Sequence, residues 1–157
     1  MSKRDFQKSL IYAWENSRFT AVSKKNLTIE ECTALVNDAC RCYGIHAPKI
    51  VFPEGYQART AHYAPGKCEI VLPDWSRHRH YLIHELSHHI CCVKGNDGVS
   101  HGKKYFSIYA YLLNQYGAYP LHEVFFKASK MGIKYTNDFP KFVEGMVPSP
   151  ELVVPYS

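Results

Sequence analysis

Two histidines four residues apart, with an acid beside the first, constrain this chain more than any other feature. The run is His84-Glu85-Leu86-Ser87-His88. Side chains at i and i+4 stand one above the other on a helix, so the pair predicts a helix, here from about Ser76 to Lys94. On a wheel with His84 at 0°, steps of about 100° put His88 near 40° and Cys91 near −20°. Leu82, Ile83, Leu86, Ile90 and Val93 then fall between about 160° and 260°. Such a helix buries one side in a core and turns two imidazoles toward an opening on the other.

The chemistry that uses this spacing is metal binding. Two imidazoles one turn apart can reach one zinc ion at roughly 2.0–2.1 Å. Glu85 is turned about 100° from His84. It can reach a water at the ion without becoming a ligand, which is the position of a general base. A catalytic site also needs a third ligand and an open position. The metzincin extension would place Gly at 91 and His at 94, and this chain has Cys91 and Lys94 instead. His101 is the favoured third ligand, with Gly102 beside it to allow close backbone approach. An acid is the alternative, Glu123 or Asp97, and Cys91 on the His84 face is another.

The remaining features set the frame. A chain of 157 residues suits one domain. With 46% hydrophobic and 21% charged residues it is globular and not disordered. It has no apolar run near the roughly 20 residues that cross a bilayer. The start shows no apolar stretch behind its charges, so a cytoplasmic protein is expected, without membrane contact. The six cysteines are then reduced thiols, mostly small core residues. The net charge is +5, and much of the excess sits at Lys3, Arg4, Lys8, Arg18, Lys24 and Lys25. That stretch is a solvated face or a weak nucleic-acid contact.

Periodicity predicts a first helix over about Lys3–Asn16, with Phe6, Leu10, Ala13 and Trp14 on one side. A second starts at Thr28, whose capping box is completed by Glu31, and stops at Gly44. Short strands follow at Lys49–Phe52, Arg59–Tyr63 and Cys68–Leu72, the last two joined as a hairpin at Pro65-Gly66. A fourth helix is expected over Gly102–Tyr116, buried nearly all round, then a fifth over Leu121–Met131 and a short sixth over Phe139–Met146. The order predicts a single α+β domain over 1–157, with N-terminal helices to 46, a catalytic core over 47–117 and C-terminal helices and tail beyond.

Arg59 to Pro73, then His84-Glu85-Leu86-Ser87-His88-His89, then His101-Gly102 followed by Phe106, resemble the SprT-like and minigluzincin metallopeptidases. They are similar too to small metallohydrolases of phages and actinobacteria. The resemblance covers about residues 56–117. It implies a zincin-like fold with a small antiparallel sheet packed on the active helix. It implies one Zn²⁺ on His84, His88 and His101, with Glu85 as general base cleaving a peptide substrate. It also implies that a peptide lies along the edge Ala61-His62-Tyr63. The chain departs from many SprT-like proteins in having no cysteine after Cys92, hence no C-terminal zinc ribbon. Three other readings stay open: a DNA-associated SprT-like protease, a metal-dependent hydrolase of non-peptide amides, and a non-catalytic metal-stabilised binding module.

Several residues are weighed for supporting roles. Tyr105 and Tyr109 could face an oxyanion, or be core aromatics. His62 is a candidate for substrate contact. His80 either lines the cleft or is a partly exposed polar residue. His78 and His89 are expected at the surface or as caps, and Asn96 or Asp97 could bond a ligand histidine.

Overall fold

In the computed structural model, residues 5, 7–18, 26–54, 60–95, 100–117 and 119–155 are described. Among them the elements run α1 (Lys8–Arg18), α2 (Ile29–Tyr43), β1 (Lys49–Val51), β2 (His62–Ala64), β3 (Glu69–Val71), α3 (Arg79–Lys94), α4 (Lys103–Gly117) and α5 (Leu121–Lys130). The class is α+β. Among the described residues no helix is long and apolar enough to cross a membrane.

Local chemistry sets α2 as expected. The Thr28 hydroxyl accepts from the Glu31 backbone N–H at 3.0 Å, and the Thr28 N–H donates to Glu31 Oε1 at 3.1 Å. Gly44 ends the helix at φ +68°, in the left-handed region that glycine adopts without a Cβ penalty. Cys32, Leu35, Val36, Ala39 and Tyr43 are all buried. The first helix differs from the pattern. Its buried residues are Ile11, Trp14 and Glu15, while Ala13 is exposed. Phe6 lies outside the described residues.

The sheet is mixed and not antiparallel throughout. Its order is β1-β3-β2, with β2 antiparallel and β1 parallel to the central β3. The hairpin forms as expected, through a single turn of 3₁₀ helix at Pro65–Lys67. A parallel pair needs a long crossover. Here the chain from β1 to β3 contains β2 itself, so among the described residues β1 closes one edge and β2 forms the other. Three-residue strands carry too little periodicity to specify that arrangement.

The histidine helix α3 sits between α4, α2 and β2. It is buried on more sides than one apolar stripe implies. His80 is 2% exposed and His89, expected at the surface or as a cap, 1%, while Val93 in the last turn is 52% exposed. His89 has a structural reason to be inside. Its Nε2 donates to the His46 carbonyl at 2.9 Å, and its Nδ1 accepts from the Tyr63 hydroxyl at 3.0 Å. Burial lowers its pKa, against the His46 contact, so the ring is a neutral strut. It ties α3 to β2 on one side and to the entry of β1 on the other. The fourth helix is buried nearly all round, as its composition predicts, with Phe106, Ile108, Leu112 and Leu113 fully inside.

The expected sixth helix over Phe139–Met146 is absent: that stretch holds no helix. The backbone of this stretch is used elsewhere. Val143 N–H donates to the Cys42 carbonyl at 2.8 Å, and the Tyr43 hydroxyl donates to the Pro140 carbonyl at 3.2 Å. Phe142 packs edge-on against Tyr43 and Tyr111. The segment is a strap across α2 and α4.

Asp38 fastens the end of that strap. Its carboxylate accepts from Tyr116 OH at 2.8 Å, from Ser149 Oγ at 2.7 Å, from Ser149 N–H at 3.1 Å and from Arg41 Nη2 at 2.9 Å. Burial alone would raise its pKa, but the bonds from Ser149, Arg41 and Tyr116 outweigh burial and lower it. Its contribution to stability is therefore complete above the ordinary unfolded value of about 3.9 and is lost as pH falls through the lower folded value. Asp38→Asn is expected to destabilise by about 2–4 kcal/mol at neutral pH. Denaturant melts should show the gap to wild type closing in acid below about pH 4. A gap that stays constant across that range would exclude a role for the Asp38 charge.

Candidate metal centre

α3 brings His84 and His88 to one face, one turn apart, and the chain returns His101 to meet them just before α4. The ring Nε2 of His101 is 3.2 Å from that of His88 and 3.3 Å from that of His84. Nitrogens each about 2.0–2.1 Å from a tetrahedral ion stand roughly 3.3–3.4 Å apart, so this spacing fits a single ion. Among the described residues, His84, His88 and His101 form a group able to hold a metal ion. His84 and His101 are buried and His88 is half-buried.

Glu123 and Cys91 are outside this group. Glu123 is in the first turn of α5, paired with Lys127 at 2.7 Å and Arg18 at 3.9 Å. The Cys91 thiol faces the Gly95 carbonyl at 3.5 Å. Asn96 and Asp97 lie outside the described residues, as do Lys3, Arg4, Lys24 and Lys25 of the basic stretch.

Two carboxylates back the cluster, and the sequence reading missed both. Glu15 Oε2 is 3.1 Å from His84 Nδ1, and the Tyr109 hydroxyl donates to the same oxygen at 2.9 Å. Asp5 Oδ2 is 2.8 Å from His101 Nδ1. An acceptor at Nδ1 places the proton there and leaves Nε2 free to ligate. Gln7 adds a bond to the His101 carbonyl at 3.1 Å, so the start of the chain holds this loop as well as its ring. No sequence pattern marks the pair: Tyr12 and Glu15 share a side of α1 at i and i+3, but Asp5 precedes that helix.

The ring environments differ accordingly. Burial disfavours a charge on His84, but Glu15 outweighs burial and raises its pKa. His88 is pushed down to about 2 by burial and by the rings of His84 and His101. His101 is lowered, burial outweighing Asp5. Neutral rings are the form that ligates. Glu15→Gln, which keeps the shape and removes the charge, is expected to weaken metal affinity about 10–100-fold. Competition against a chromophoric chelator measures this, and an unchanged affinity would remove Glu15 from the centre.

Glu85 flanks the cluster, with Oε1 4.0 Å from His84 Nε2. Burial raises its pKa, against the pull of His84, His62 and a hydrogen bond from the Tyr63 backbone. It lies where two halves of one cleft join. The larger half, about 430 Å³, is bounded by Lys8, His62, His88 and His101. The smaller, about 320 Å³, is bounded by Asn16, Trp75, His80, Tyr81 and His84. Tyr12, Ala61 and Glu85 line both. His62 and His80 thus both border the cleft. Tyr105 and Tyr109 border neither half; both are fully buried. Tyr105 stacks on His88 at 4.3 Å and donates its hydroxyl to the His84 carbonyl at 3.0 Å.

No family model matches this chain, and no curated protein or solved structure matches it either. The chemistry of the site therefore carries the functional argument.

Proposed function

We propose that this protein is a cytoplasmic zinc-dependent metallopeptidase, with one ion held by His84, His88 and His101. The observation that carries the reading is the meeting of three Nε2 atoms within 3.2–3.3 Å steps, beside a buried carboxylate and at the floor of an open cleft. Three nitrogen ligands plus an open position is the composition of a catalytic zinc site, whereas structural sites are closed by four protein ligands. The core thiols of Cys32, Cys40 and Cys42 suit a reducing compartment.

When bound, zinc supplies Lewis acidity, lowering the pKa of a water to about 7 and polarising a carbonyl. The chain supplies the rest. Glu85 accepts the proton of the attacking water and later delivers it to the leaving amine nitrogen. β2 is an edge strand bordering the cleft, so its outward backbone groups can pair with an extended peptide. Glu15 and Asp5 fix the orientation of two ligand rings.

The test is metal content and cleavage of unstructured protein such as casein. About one zinc per chain is expected, with cleavage that stops on adding 1,10-phenanthroline and returns with zinc. Zinc without peptide cleavage, but with hydrolysis of non-peptide amides, would move the activity to another amide class. A protein that binds no metal would end the proposal.

A further inference from the structure

We propose that Tyr12, on the helix preceding the sheet, is a catalytic residue: its phenol hydrogen-bonds the scissile carbonyl oxygen as that oxygen gains charge. This rests on the peptidase reading above. Hydrolysis of an amide needs a donor aimed at the developing oxyanion.

The tyrosines of α4 are already committed. The Tyr105 hydroxyl donates to the His84 carbonyl and that of Tyr109 to Glu15, and neither ring borders the cleft. Tyr63 borders it, but its hydroxyl is spent on His89. Tyr81 borders only the smaller half, with its ring against Trp75 and His80.

Tyr12 is placed differently. Its ring stacks on His84, with centroids 5.5 Å apart and planes 7° from parallel, and lies 5.9 Å from His101. It is 42% exposed, and no described residue hydrogen-bonds its hydroxyl. With Ala61 and Glu85 it lines both halves of the cleft, so these three residues form its waist. Ala61 belongs to the β2 side, Glu85 to α3 and Tyr12 to α1. A peptide laid along the β2 edge passes between Ala61 and Tyr12, over Glu85. Its carbonyl then meets a base from α3 and a donor from α1.

The water oxygen bonds to the carbonyl carbon, its proton goes to Glu85, and the π pair moves onto the carbonyl oxygen. Tyr12 keeps its proton and shares it with that oxygen as a hydrogen bond. The pair returns as the C–N bond breaks, and the Glu85 proton goes to the amine nitrogen.

Tyr12→Phe keeps the ring stacked on His84 and removes only the hydroxyl. In the zinc-loaded protein, kcat for a fluorogenic peptide should fall about 10²–10³-fold with KM little changed. Zinc affinity, by chelator competition, should not move. Calorimetric affinity for a phosphinic peptide, which presents a tetrahedral anionic centre, should fall while that for a product peptide holds. An unchanged kcat overturns the role, and so does a zinc affinity that drops in parallel. If wild type neither cleaves peptides nor binds the phosphinic peptide, the peptidase reading itself has failed and takes the Tyr12 role with it.

Discussion

Glu85→Gln is expected to lower kcat for peptide cleavage by about 10²–10⁴-fold, the usual contribution of a positioned general base. The zinc content should not change. Glu85 is 7% exposed, beside the His84 nitrogen at 4.0 Å but outside the ligand group. Glutamine has the same shape, and its amide oxygen can still accept the Tyr63 backbone hydrogen bond that the carboxylate receives. The fold and the cleft therefore persist, and only the ability to take a proton is lost. Turnover should be measured on protein with its zinc stoichiometry determined in the same preparation. A glutamine variant as active as wild type would show that the Glu85 carboxylate is not the group that takes the proton, and would remove it as the general base. A variant that loses zinc as well would mean that Glu85 helps hold the ion.

What was legible in advance follows from range. The His84–His88 pair, the Thr28–Glu31 cap and the Gly44 stop are contacts within one or two turns, and the spacing of residue types states them directly. His101 was legible by chemistry, since it is a ligand type beside a glycine at the start of a helix. Glu15 and Asp5 were not. Their partners lie 69 and 96 residues away, and a carboxylate on a polar N-terminal helix reads the same whether it meets water or an imidazole. His89 misled for a related reason. Imidazole buries readily once its nitrogens find partners, and those of His89 come from His46 and Tyr63, on other elements. The parallel pairing of β1 with β3 depends on the central strand needing two neighbours, which three residues of sequence do not encode.

Glu15 and Asp5 share a location. Helix α1 and the residues just before it carry no motif, yet Asp5, Gln7, Tyr12 and Glu15 reach the histidine cluster from there. The histidine helix and the sheet alone would leave His84 and His101 without their Nδ1 acceptors. A neutral ring with no fixed tautomer spends part of its time with the wrong nitrogen protonated, which weakens ligation. On this view the N-terminal segment is part of the metal centre, and the basic charges around it serve some other purpose or none.

His101→Ala should remove the metal. Its Nε2 is 3.2 Å from that of His88 and 3.3 Å from that of His84, and the residue is 5% exposed. Losing an outer hydrogen-bond partner typically costs 10–100-fold in affinity, roughly, and losing a ligand should cost more. Zinc content after dialysis is expected to fall from about one per chain to near none. Thermal melts give an independent readout, because an ion that binds only the folded state stabilises it by about 2.7 kcal/mol at 100 times its Kd. Wild type should therefore melt higher when zinc is added, and His101→Ala should not. Glu123→Ala and Cys91→Ser are the controls, and both should keep the zinc-dependent shift. Glu123 is engaged with Lys127 on another helix, and Cys91 with the Gly95 carbonyl. A shift that survives His101→Ala but disappears in Cys91→Ser would transfer the third ligand to the thiol. The Asp5 contact could then not be a ligand-orienting one, because the ring that it holds would not touch the ion.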